Sequence, residues 1–247
     1  MSKPIEIIAT MILNGGKDLL KQYHAIDYPV NRYFILDNSM GKDYSVQDAI
    51  DQIITGLSNQ NIKEVCVLTN HMNVGFAGSC NQIVKQNTDV PYWIIMGCDW
   101  HPRKNQLEKL AKRLEKPFTG ILCDETQNAY SCMVLTPEII NKVGTFDENF
   151  FPGYYEDNDH RYRMRMANLK WENFPLTYNH AVSSTLKRNV NFQLKNEETF
   201  ASNGKYYIEK WGGLPNNEKY ERPFNNLELP IDYWKYNPQR SEKQRWI

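Results

Sequence analysis

The chain opens on an apolar run, Ile5-Glu6-Ile7-Ile8-Ala9-Thr10-Met11-Ile12-Leu13, broken by one charge. A run apolar at successive positions marks a strand covered on both faces. Asn14-Gly15-Gly16 ends it, and Leu19, Leu20 and Tyr23 then recur at helical spacing. Tyr33-Phe34-Ile35-Leu36 predicts a second strand, stopped by Asp37-Asn38-Ser39. Ser45, with Asp48 three residues on, reads as a capping-box-like helix start. Val46, Ala49, Ile50, Ile53, Ile54 and Leu57 form the stripe behind it. Val65-Cys66-Val67-Leu68 predicts a third strand, and Phe76, Ala77, Cys80, Ile83 and Val84 repeat helically after it. Tyr92-Trp93-Ile94-Ile95-Met96 predicts a fourth, with Leu107, Leu110, Ala111 and Leu114 marking the next helix.

Strand–helix alternation of this kind predicts an α/β fold, a mostly parallel central sheet with helices on both faces. Such sheets bind ligands at the carboxyl ends of their strands. Those ends are Thr10–Asn14, Asp37–Ser39, Thr69–Asn73 and Gly97–His101, all polar. After residue 117 the alternation fades. Thr119–Cys123 and Tyr130–Leu135 read as strands, Pro137–Val143 and Glu156–Asn168 as helices, and Asn173–Val182 as extended chain. From Ser183 the sequence is polar and aromatic, with 11 Lys+Arg against 8 Asp+Glu.

Composition narrows the function classes. A chain of 247 residues fits one large domain, alone or with a small appendage. Lys+Arg and Asp+Glu both total 29, so the broad basic surface of a nucleic-acid binder is excluded. Glu6 arrives too early for a leader's apolar region, and no run reaches the ~18–20 apolar residues of a membrane span. The five cysteines form no CxxC pair, which fits reduced buried thiols in a cytoplasmic protein.

Four stretches could carry chemistry. In Gly97-Cys98-Asp99-Trp100-His101, an Asp at a strand's end can hold a divalent cation or cap the next helix. In Asn73-Val74-Gly75-Phe76-Ala77-Gly78-Ser79-Cys80-Asn81, two glycines open a helix whose N–H groups could approach a ligand, although neither GxGxxG nor a P-loop is present. Glu156-Asp157-Asn158-Asp159 gathers three carboxylates at a helix start. They serve either as helix-dipole compensation with an Asp159–Arg163 pair, or as a general base for an acceptor hydroxyl. The helix N-terminus favours an ionised Asp157. His180 ends an extended segment and is either structural or a metal ligand beside Asp99.

In this order the segments resemble the family 2 glycosyltransferases of the GT-A fold, nearest the branch of rhamnosyl- and related polysaccharide transferases. Leu36-Asp37-Asn38-Ser39 is similar to the family's VDN-S strand end, and residues 73–81 to its N-x-G-F-A-G-x-x-N loop. Cys98-Asp99 stands at its DXD segment. Gly144-Thr145-Phe146-Asp147-Glu148-Asn149-Phe150-Phe151 with Glu156-Asp157-Asn158-Asp159 and Arg163 is similar to its G-x-F-D-E-x-F-F…E-D-x-D…R run, and Lys210-Trp211-Gly212 to a late K-W-G. The similarity spans residues 5–213.

The resemblance implies a GT-A catalytic domain over 1–182, Rossmann-like, with a nucleotide-sugar half (1–102) and an acceptor half (103–182) bearing a small subdomain. Residues 183–247 would be an extension packed on it. It implies inverting transfer of a hexosyl-type sugar from a nucleotide-diphosphate sugar to a glycan or glycoconjugate acceptor, assisted by Mn2+ or Mg2+. Thr10, Met11, Asp37, Asn73, Gly75, Gly78 and Asp99 would bind the nucleotide sugar. Asp157, paired with Glu156, would be the catalytic base, and Asp99 and His180 the metal ligands. Gly97 departs from the pattern, because it stands where the first DXD carboxylate falls. Two other readings stay open. One is a non-catalytic nucleotide-sugar or glycan-binding module. The other is a nucleotidyltransferase, for which Asn14-Gly15-Gly16-Lys17 is a faint match. Oligomeric state is open too.

Overall fold

The computed structural model describes residues 3–56, 58–124, 130–180 and 190–235. Its first half runs β1 (Ile5–Ile12), α1 (Gly16–Ala25), β2 (Val30–Asp37), α2 (Tyr44–Thr55), β3 (Ile62–Thr69), α3 (Gly75–Gln86), β4 (Trp93–Gly97). The second half runs β5 (Trp100–Pro102), α4 (Gln106–Leu114), β6 (Ile121–Leu122), β7 (Cys132–Leu135), α5 (Pro137–Val143), α6 (Glu156–Met166), β8 (Glu172–Asn173), β9 (Tyr178–His180) and α7 (Val190–Trp211). Seven strands form one sheet in the order β3-β2-β1-β4-β7-β6-β8, and β5 pairs with β9 in a second, small sheet. Strands β1 to β4 are parallel, whereas β7 runs antiparallel to β4.

The apolar runs become buried strands because both faces are covered. Ile8, Ile12, Tyr33, Ile35, Ile94 and Met96 pack with α1, α2 and α4 through Leu19, Tyr23, Ala49, Ile53 and Leu107. Ile7, Ala9, Phe34, Leu36, Trp93 and Ile95 face the other way, onto Ala77, Cys80 and Ile83 of α3 and Ile139 and Val143 of α5. Each fully buried aliphatic side chain contributes about 1.5–3 kcal/mol to this sandwich. All five cysteines are free thiols, and four are buried.

One local detail differs from the sequence reading, at the start of α2. Asp43, not Ser45, caps α2: its side chain accepts from the Val46 N–H. Ser45 instead donates to Asp43 at 2.6 Å and accepts from the Gly16 N–H. Leu57 and residues 181–182, assigned above to a helix and an extended segment, lie outside the described residues. The polar tail contains α7, 22 residues long, docked through Tyr206, Tyr207 and Trp211 onto Phe150 and Tyr162.

Candidate active site

Strand register brings the polar ends to one edge. Ile12 lies opposite Asp37, Asp37 opposite Thr69, and Met11 opposite Gly97. Asp37 is fully buried. Its Oδ1 accepts from the Ser39 N–H at 2.7 Å and its Oδ2 from the Gln47 side chain at 2.9 Å. Thr10 is buried with no hydrogen-bond partner for its Oγ1 among the described residues, and Met11 beside it is half-buried.

At the head of α3 the backbone donors are used within the protein. Asn73 accepts from the Gly75 N–H at 2.9 Å, and the Phe76 N–H donates to the Pro152 carbonyl at 2.8 Å. Gly75 has φ +70°, and a Cβ there would sit 2.7 Å from the Pro152 oxygen. The glycine is therefore what lets the 151–152 segment rest on this helix end. Gly78 lies one turn in, where a Cβ would come 3.0 Å from that of Val74.

The quoted stretches are bonded to one another. Asn38 donates to Ser79 at 2.7 Å, and Ser79 to the Gly75 carbonyl at 2.5 Å. Asn81 donates to the Phe146 carbonyl and to Glu148, both at 2.8 Å, and accepts from the Phe146 N–H. Lys210, wholly buried, lies 2.9 Å from Asp147 Oδ2 and 2.7 Å from Asp159 Oδ1. Trp211 donates to Asp159 at 2.8 Å, and Arg163 closes the cluster 2.8 Å from the other oxygen. The expected Asp159–Arg163 pair is thus one side of a buried network of two acids and two bases. Burial opposes charge on Asp159, but Lys210 and Arg163 outweigh it and hold its pKa down at about 2.

Asp99 sits half-buried in the turn between β4 and β5. It does not cap a helix: β5 intervenes, and Asn105 stands at the start of α4. The Gln22 side chain pins this turn, donating to the Gly97 and Trp100 carbonyls at 2.6 and 2.9 Å and accepting from the Tyr33 hydroxyl at 2.9 Å. The His101 ring adds contacts to the Asp18 and Cys98 carbonyls at 3.1 and 3.2 Å. A Cβ at Gly97 would lie 3.1 Å from Asp99 Oδ1. His180 pairs with Trp100 through β9 and β5, so its backbone reaches the same turn, while its side chain is outside the described residues. Among the described residues no three His, Cys, Asp or Glu side chains form a metal cage. One carboxylate fits the other mode, in which a hard cation takes one or two carboxylates and completes its shell with phosphate oxygens and water.

At the head of α6 the acid pair divides. Glu156 is buried, and its Oε2 has no hydrogen-bond partner among the described residues. Burial, then the neighbouring Asp157, pushes its carboxyl well above the usual range. Asp157 is half-buried and accepts from the Asn158 N–H at 2.8 Å. Burial raises its pKa too, only partly countered by that N–H and by Arg161. Desolvation beside a second carboxyl outweighs the helix N-terminus, contrary to the sequence expectation. Arg161 also lines an open cleft of about 600 Å³ with Arg165, Lys170 and Trp171. Gln47, Asn81, Arg161 and Lys210 have no role in the sequence reading. Of these, Asn81 and Lys210 stand in quoted motifs.

No curated protein sequence matches the chain. Its fold is similar to that of a mannosyltransferase, PcManGT from Pyrobaculum calidifontis, solved with GDP-Man and Mn2+. That match has a TM-score of 0.57 and 12% identity, over 81% of this chain and 64% of the other. It is also similar to S. aureus TarS 1-349, with a TM-score of 0.55 and 12% identity over 83% and 69% of the two chains. GalNAc-T7, solved with UDP, GalNAc and Mn2+, gives 0.52 and 12% over 84% of this chain and 50% of its own. The chain thus spans about two thirds or less of the mannosyltransferase and GalNAc-T7. At that identity the likeness speaks to fold, and the fold is GT-A. The family model for glycosyl transferase family 2 matches residues 11–191, most of the chain, and the protein belongs to that family.

Proposed function

We propose that the chain moves a sugar from a nucleotide-diphosphate sugar to an acceptor hydroxyl, with inversion at the anomeric carbon. The observation that carries this is the division of the acid pair. Glu156 is shut into the protein, whereas Asp157 is half-buried and keeps part of its surface open, on a helix anchored from behind by Lys210 and Asp159. Asp157 would take the acceptor proton as that oxygen attacks C1 and the bond from C1 to the diphosphate breaks. Its raised proton affinity makes it a stronger base than an ordinary aspartate. Asp99, and His180 beside it in chain pairing, would hold a divalent cation. When bound, Mn2+ or Mg2+ would neutralise the departing diphosphate as a Lewis acid. Asp37 and Asn73 would face the nucleoside, with Thr10, Met11, Gly75 and Gly78 around it. Gly97 favours a binding-only reading, but an accessible Asp157 has no purpose in one.

Asp157→Asn is expected to lower transfer by roughly 10²–10⁴-fold, read as labelled product, while calorimetry still finds UDP binding. Asp99→Ala should weaken UDP binding only when Mn2+ is present. Undiminished transfer by Asp157→Asn would remove the base from this role. A thermal-shift screen of UDP, GDP, dTDP and CDP, with and without Mn2+, identifies the nucleotide, and NMR of the product gives its anomeric configuration.

A further inference from the structure

Just before the candidate base the surface carries two large exposed rings. Tyr154 is 39% exposed and Phe200 of α7 is 45% exposed. Their centroids are 5.5 Å apart, with planes at 74°. Tyr155 supports the pair from behind, 5.1 Å from Phe200 and 5.6 Å from Tyr207. The backbone that presents Tyr154 is unusual, with φ +73° there and +74° at Tyr155. For bulky residues that region is costly, and it persists only where surroundings enforce it. Here Asn203, buried within α7, enforces it by donating to the carbonyls of Phe151, Gly153 and Tyr154 at 3.3, 2.8 and 3.2 Å. A buried amide on one element thus holds a loop of another in a strained form, and the result is an aromatic side chain facing water.

We propose that Tyr154 and Phe200 form a platform for a pyranose ring of the acceptor. The proposal rests on the transferase reading and names the residues that would hold its acceptor. A pyranose has an apolar face of C–H groups, which pack against the electron-rich faces of aromatic rings, and a rim of hydroxyls. Two rings at a steep angle make a corner that takes one such face and leaves the rim free. Asp157 follows Tyr154 by three positions at the head of α6, so a sugar seated on the corner brings its rim hydroxyls toward the base.

The test is saturation-transfer NMR on the full chain with UDP present. Its probes are the methyl glycosides of glucose, galactose, rhamnose and N-acetylglucosamine. Irradiating aromatic protons should transfer saturation to ring C–H protons of at least one glycoside. Tyr154→Asn removes the ring with a residue that tolerates positive φ, and Phe200→Gln keeps a good helix former. Each should weaken the signal, and together they should lower affinity about tenfold, while Tyr154→Phe retains it. No signal with the wild type, or an undiminished one in the double variant, overturns the platform. So does a change from dimer to monomer in sedimentation, which would make the patch a self-interface. Hydrolysis of UDP-, GDP-, dTDP- and CDP-sugars by the wild type is read separately, and its absence with all four counts against the transferase reading alone.

Discussion

Two neighbouring carboxyls at one helix head differ in burial because successive residues of a helix point about 100° apart. Burial, then the neighbouring Glu156 carboxyl, raises the Cys80 thiol, which places Glu156 toward α3. Its proton is held more tightly in the folded chain than in the unfolded one. Below about pH 4 both states carry that proton. As pH rises, the unfolded chain releases it first, so stability falls until the folded carboxyl also ionises. Glu156→Gln should therefore melt higher than the wild type at pH 8, with the gap closing toward pH 4. An equal gap at both values would mean that the residue is not held protonated. The chemical candidates were legible in the sequence, Asp99 as a lone acid at a strand's end and Asp157 as one of three acids at a helix start. That Glu156 would turn inward was not, because adjacent acids look equivalent until a helix assigns them faces.

At the scale of elements, long buried runs were easy to read and short or inverted patterns were not. β1 and β4 are apolar on both faces, and their runs announce it. β6 and β8 have two residues each, too few for any alternation to show. Helix α7 inverts the usual contrast: it buries Lys210 and exposes Leu194, Phe200 and Ile208. A lysine is read as solvent-facing because its partner Asp147 lies 63 positions earlier in the chain. Removing that lysine leaves two buried acids short of a counter-charge. Lys210→Met should cost roughly 3–5 kcal/mol, as for breaking other buried pairs. Urea denaturation measures it, and a loss under about 1 kcal/mol would show that the network is relaxed by water.

For the molecule as a whole, the sheet joins the halves without a seam. β4 pairs with β1 on one side and β7 on the other, and the second core cluster takes residues from both halves. We expect one cooperative unfolding transition. Trp93 reports on the first half, and Trp100, Trp171 and Trp211 on the second. Tryptophan emission and far-UV circular dichroism should therefore give one coincident melt. Two separated steps would mean that the halves are independent.

The turn that carries Asp99 has one more consequence, and it concerns timing. Gln22, Tyr33 and His101 hold it in place from the moment the chain folds. A ligand bound at that turn would find it already arranged, so the entropy of ordering it would be met once, in folding, and not at each binding event.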